Sequence, residues 1–158
     1  MKKTESIFVL LSMAMFLLTS CSNQKVFEEY NKFDNFSWNR FDIVKFEVDF
    51  ENTETDYDIY INIRHLPEYP YTFFNFNFTI NTPSGEMRTS DYEIDLFNKK
   101  GERLSECLGD YCDLKIPLRN GFRFSEPGTA IFEIENRMTK LETPGVMEVG
   151  LIIEKSEK

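Results

Sequence analysis

Cys21 is the residue of this chain with the best-defined chemistry. It ends the string Leu18-Thr19-Ser20-Cys21, which closes an apolar run from Ile7 to Leu18 preceded by Lys2 and Lys3. A positive start, an apolar stretch and small residues before a cleavage point make a secretory leader. The Leu-x-Ser-Cys ending reads as a bacterial lipobox, in which the thiol takes a diacylglycerol and the cysteine becomes the first residue of the mature chain. A membrane-spanning helix and a plain secretory signal are the competing readings. Twelve residues of helix cover only about 18 Å, against a hydrocarbon core of about 30 Å. The expectation is therefore a cleaved leader over 1–20, a lipidated tether over 21–25 and a folded domain over 26–158.

With Cys21 lipidated, Cys107 and Cys112 remain. They form an even pair in a compartment that permits disulfides, and a bridge would close a small loop holding Leu108-Gly109-Asp110-Tyr111. Two free thiols are the alternative. The only histidine, His65, lies beside Arg64 at a predicted strand end, and no Gly-x-Ser-x-Gly string accompanies it. It reads as a surface histidine rather than a general base. Cys107, Cys112 and His65 are too few for a zinc set. The acidic strings around Asp110 and Asp56 do not match a calcium loop. The seven glycines stand singly, so nothing cradles a phosphate. No catalytic residue, metal or cofactor is expected.

These residues must be held by strands. Period-two alternation runs through Val44–Phe50, Tyr57–Arg64, Phe73–Ile80, Asp91–Leu96, Leu114–Leu118, Ala130–Glu135 and Met147–Ile153. Such alternation marks half-buried strands. Turn-forming strings separate them, among them Pro83-Ser84-Gly85, Lys99-Lys100-Gly101, Asn120-Gly121 and Thr143-Pro144-Gly145. The fold expected is all-β: one antiparallel β-sandwich, jelly-roll or immunoglobulin-like, of about 7–9 strands.

The chain has 158 residues and a formal charge of −9. Loss of the leader removes Lys2, Lys3 and Glu5, which brings the charge to −10. An acidic surface excludes nucleic-acid binding, which needs lysine and arginine on phosphate. It also excludes adsorption to anionic headgroups, so the membrane link is the lipid itself.

The remaining binding signal is aromatic and basic. Tyr60, Asn62 and Arg64 alternate along one strand, and Tyr69-Pro70-Tyr71 follows in its exit loop. Exposed tyrosine and arginine are enriched at binding hot spots, so Tyr60, Asn62, Arg64, Tyr69 and Tyr71 form a candidate partner surface. Core filling is the competing use of such aromatics. A stacking platform for sugars is a second functional reading, that of a glycan-binding envelope lipoprotein.

In order and distance, several strings resemble the gliding motility lipoprotein GldH family of Bacteroidetes. They are Val26-Phe27-Glu28-Glu29-Tyr30, Trp38, Tyr57 to Arg64, Tyr69-Pro70-Tyr71 and Gly145 to Lys155. The resemblance implies a non-enzymatic accessory lipoprotein of the gliding and type IX secretion apparatus, with other envelope proteins as partners. It carries over no catalytic residue. Where that family usually reads Tyr-Pro-x-x-Asn-Leu, this chain has Tyr69 to Phe76, with the asparagine displaced to Asn75. The residues after the cysteine, Ser22-Asn23-Gln24-Lys25, contain no acid. That composition favours an outer-membrane lipoprotein facing the periplasm.

Overall fold

The computed structural model describes residues 25–157. Cys21 and the leader fall outside the described residues. Eight long strands carry the fold: β1 (Lys25–Lys32), β3 (Val44–Phe50), β4 (Tyr57–His65), β5 (Phe73–Asn81), β6 (Met87–Asp95), β8 (Tyr111–Phe122), β9 (Gly128–Asn136) and β11 (Val146–Lys155). Three three-residue strands, β2 (Ser37–Asn39), β7 (Glu106–Leu108) and β10 (Glu142–Pro144), bring the total among the described residues to eleven. The count is thus slightly above the expected 7–9. Strands of three residues are too short to show alternation.

The strands form two antiparallel sheets packed face to face. One has the order β1-β11-β4-β8-β7 and the other β3-β9-β5-β6; β10 and β2 pair separately. The alternation explains the layering. Ile59, Ile61 and Ile63 of β4 and Val149, Leu151 and Ile153 of β11 point into the core, opposite Phe74, Phe76, Phe78 and Ile80 of β5 and Phe132 and Ile134 of β9. Each fully buried side chain of this size contributes about 1.5–3 kcal/mol. Ring contacts weld the layers: Phe50 of β3 stacks on Phe124 at 4.1 Å and meets Tyr57 of β4 edge-on at 4.9 Å. On the other flank, the Tyr92 hydroxyl of β6 donates to the Leu118 carbonyl of β8 at 2.9 Å.

The registers define two ends. Lys25, the C-terminal end of β11 and the β3–β4, β5–β6 and β8–β9 connections share one end. Residues 33–43, 66–72, 96–110 and 137–145 gather at the other.

Three local readings change. Lys25, assigned to the tether, is the first residue of β1 and pairs with Glu154. Asn120-Gly121, expected as a turn, lies inside β8. There the pairs Tyr57↔Phe122 and Ile59↔Arg119 leave one extra residue on β8, a bulge, and Gly121 supplies the required φ of 62°. Thr143-Pro144 is strand rather than turn, and Gly145 alone, at φ 87°, turns the chain between β10 and β11. Among the described residues, no helix is long and apolar enough to cross a membrane.

Candidate functional site

The outer face of the five-stranded sheet gathers the side chains with the most polar chemistry. β4 alternates, so Tyr60, Asn62 and Arg64 turn away from the core that Ile59, Ile61 and Ile63 fill. Register then lines up charged neighbours: Arg64 lies between Glu148 of β11 and Asp113 of β8. Its Nε donates to Asp113 Oδ1 at 2.9 Å and its Nη2 to Oδ2 at 3.0 Å, a two-pronged grip. Nη1 donates to Glu148 Oε2 at 3.4 Å, and the guanidinium sits 4.3 Å from the Tyr111 ring centroid. Asn62 Nδ2 adds a bond to Asp113 Oδ1 at 3.2 Å. The Asp113 bond and the two carboxylate charges hold the Arg64 pKa above its usual value. Arg64 and Asp113 are 28% and 31% exposed, so solvent screening limits the pair to about 1 kcal/mol. The cluster serves geometry more than stability, because it fixes a planar cation, two carboxylates and an aromatic ring in one arrangement.

The next row repeats the pattern. Lys115 Nζ lies 4.0 Å from the Tyr60 ring centroid and donates to Glu154 Oε1 at 3.0 Å. β1 completes the face. The Tyr30 ring lies across Gly150 of β11, its register partner, and the Tyr30 hydroxyl donates to Glu28 Oε1 at 2.9 Å. Burial, then the Glu28 carboxylate, pushes the Tyr30 pKa up to about 12. Lys25 and Glu28 form an ion pair beside it. A Cβ added at Gly150 would run into the Tyr30 ring. Gly150→Ala is therefore expected to cost about 2 kcal/mol, by expelling that ring and loosening β1. In urea unfolding, the loss should largely vanish when the same change is made in a Tyr30→Ala background.

The sequence-predicted residues divide. Tyr60, Asn62 and Arg64 lie together on this face, although Asn62 is only 5% exposed. Tyr69 does not belong with them: it is buried, stacked on Phe74 at 4.4 Å and packed over Gly145. Its hydroxyl reaches only the Phe73 carbonyl, at 3.4 Å, and burial pushes its pKa up. Tyr69 N–H donates to the Leu66 carbonyl in a tight turn, and the ring lies inward. Tyr71 is half-buried against Tyr69 and borders a shallow groove with Leu141 and Pro144, apart from the Arg64 cluster. Cys107 and Cys112 are joined in a disulfide across the β7–β8 hairpin, whose turn uses Gly109 at φ 63°. Asp113, Glu148, Tyr30, Tyr111 and Lys115 carry no signal in the sequence that places them at this site, because only register brings them beside Arg64 and Tyr60.

His65, read as a surface residue, is fully buried. It is the next inward position after Ile59, Ile61 and Ile63, a parity that its polarity obscured. Its Nδ1–H donates to the Leu66 carbonyl at 2.8 Å, and Nε2 accepts from the Ser105 hydroxyl at 3.1 Å. Loss of solvent lowers its pKa, Arg103 adds to the fall, and the Leu66 bond and Asp113 oppose it. The unfolded chain protonates this ring near pH 6.5 while the fold resists the proton, so stability is complete above about pH 7 and falls as pH drops through 6.5. Between pH 7.5 and 5.5, thermal unfolding of the wild type should weaken by at most about 1.4 kcal/mol per pH unit from this group. His65→Gln should lose that slope.

Comparison with known proteins follows the same strand framework. A family model described as GldH lipoprotein matches residues 25–153, from the start of β1 almost to the end of β11. The chain belongs to the GldH lipoprotein family. Within it, the chain is 29% identical over 164 residues to the "Gliding motility lipoprotein GldH homolog" of Christiangramia forsetii, covering 99% of both. It is 25% identical over 115 residues to "Gliding motility lipoprotein GldH" of Flavobacterium johnsoniae, covering 73% of this chain and 72% of that one. Among solved structures, part of a family GH115 4-O-methyl-α-glucuronidase aligns with 87% of this chain and 18% of its own, at 14% identity and a TM-score of 0.45. GldH family membership therefore rests on the matched strands and the two relatives.

Proposed function

We propose that this GldH family member is a non-enzymatic accessory lipoprotein of gliding motility, of the gliding and type IX secretion kind of envelope assembly. Cys21 carries the lipid that holds it to the outer membrane, on the periplasmic side. Both relatives are named for gliding motility, and the leader ending in Leu18-Thr19-Ser20-Cys21 supports the anchor. The domain's task is to dock another envelope protein against the outer face of the five-stranded sheet.

One observation carries the docking reading. Arg64, held by Asp113 and Glu148 beside Tyr111, and Tyr60, held by Lys115, are ordered before any partner arrives. Side chains already fixed in place lose little entropy on binding. The test is a pull-down from native membranes with a Tyr60→Ala, Arg64→Ala double variant whose thermal unfolding shows it folded. Loss of the co-purifying envelope protein supports the face. Unchanged capture by the folded variant removes it.

A further inference from the structure

The β7–β8 hairpin stands at the end of the five-stranded sheet away from Lys25. β7 is exposed along all three of its residues. Its pairs with β8 are Glu106↔Asp113, Cys107↔Cys112 and Leu108↔Tyr111, and the two-residue turn Gly109-Asp110 joins the strands. Residues paired directly across two strands share a sheet face. The disulfide therefore lies on the inner side, where Cys112 is fully buried. Leu108 and Glu106 lie on the outer side with Tyr111 and Asp113.

Three features suit this hairpin to entering another molecule. The first is apolar. Leu108 is 72% exposed beside Tyr111, whose ring carries the Arg64 guanidinium. A leucine held out in water leaves the solvent only when a second molecule covers it. The second is rigidity. The disulfide encloses only four residues, and closing so short a loop constrains the unfolded chain less than closing a long one. Its larger effect is on the tip, where Gly109 at φ 63° has open space around it. A tip fixed beforehand loses little entropy on docking. The third is charge. Glu28, Asp113, Glu148 and Glu154 on this face each meet a lysine or arginine. Glu106 and Asp110, two residues to either side of Leu108, are exposed and meet no cation among the described residues.

We infer that Leu108 is the apolar anchor of the docking face, and that the docked envelope protein receives it in an apolar pocket rimmed by lysine or arginine. The rim supplies the cations that Glu106 and Asp110 lack. A pocket without them would strip water from two carboxylates and return nothing. The inference rests on the docking reading of this face and adds to it the chemistry of the partner's surface.

The test uses the full lipidated chain in native cells, with a benzophenone side chain replacing Leu108 and the attachment point read by mass spectrometry. The expected result is an adduct with the same envelope protein that a benzophenone at position 60 captures, attached at an apolar residue. With the benzophenone at position 60, Leu108→Asp should lower the adduct yield about tenfold, and Glu106→Lys with Asp110→Lys should do the same. Leu108→Met should leave it unchanged, and thermal unfolding should show every variant folded. An adduct from position 60 with none from 108, attachment within an acidic segment, or a yield indifferent to Leu108→Asp or to the charge reversal overturns the anchor and leaves the face standing. Absence of adducts from both positions overturns the face, and the anchor with it.

Discussion

Replacing Cys21 with alanine is expected to move the protein from the membrane fraction to the soluble fraction and leave the fold intact. The argument is one of competing attractions. Each buried acyl methylene contributes about 0.8 kcal/mol, so the two or three chains proposed at Cys21 would anchor the protein firmly. Without them the chain that the proposed cleavage leaves would offer a membrane only a surface of net charge −10, which anionic headgroups repel. The described fold begins at Lys25, four residues after Cys21. Fractionation of cells should show nearly complete release, with an unfolding temperature unchanged from wild type. If gliding depends on the anchor, motility should fail in the same strain despite normal amounts of folded protein.

The second large effect concerns Asn136, a fully buried amide at the end of β9. Its Nδ2 donates to the Trp38 carbonyl at 2.8 Å and to Thr143 Oγ1 at 2.9 Å, and its Oδ1 accepts from Met138 N–H at 2.9 Å. One side chain therefore ties β2, β9 and β10 together. Asn136→Ala removes all three bonds and strands the Met138 N–H and the Thr143 hydroxyl away from water. At about 1–3 kcal/mol for each buried group left unpaired, the expected loss is about 3 kcal/mol. In a domain of this size that lowers the unfolding temperature by roughly 10 °C. Thr143→Val deletes one bond and should cost about 1 kcal/mol. Equal losses in the two variants would show that Asn136 does not act as the hub.

Which parts of this structure could be read beforehand follows from period and register. Long strands with one apolar face, such as Phe74-Phe76-Phe78-Ile80, announce themselves, and so does the sandwich they build. β1 has little alternation, because most of its side chains face solvent at a sheet edge, and Lys25 consequently passed for tether. Asn120-Gly121 has turn chemistry, yet a bulge uses the same positive φ. At the site, Tyr60, Asn62 and Arg64 were legible because they share one strand. Asp113 and Glu148 lie 49 and 84 residues from Arg64 in the chain, and only sheet order unites them. Tyr69 and His65 differ from expectation for a common reason: polarity suggests exposure, yet both are buried. Each instead satisfies its polar atoms on nearby backbone or serine and gives its ring to the core.

The central claim is that an anchored domain docks an envelope protein on the outer face of its five-stranded sheet. Photo-crosslinking in native cells tests it most directly, with a benzophenone side chain replacing Tyr60 and, as a control, the exposed Glu47 of β3 on the outer face of the other sheet. The expected result is one discrete adduct with an envelope protein from position 60, lost in the Cys21→Ala background, and none from position 47. Crosslinks of equal strength from both positions, or none from position 60 in correctly localised protein, would contradict it.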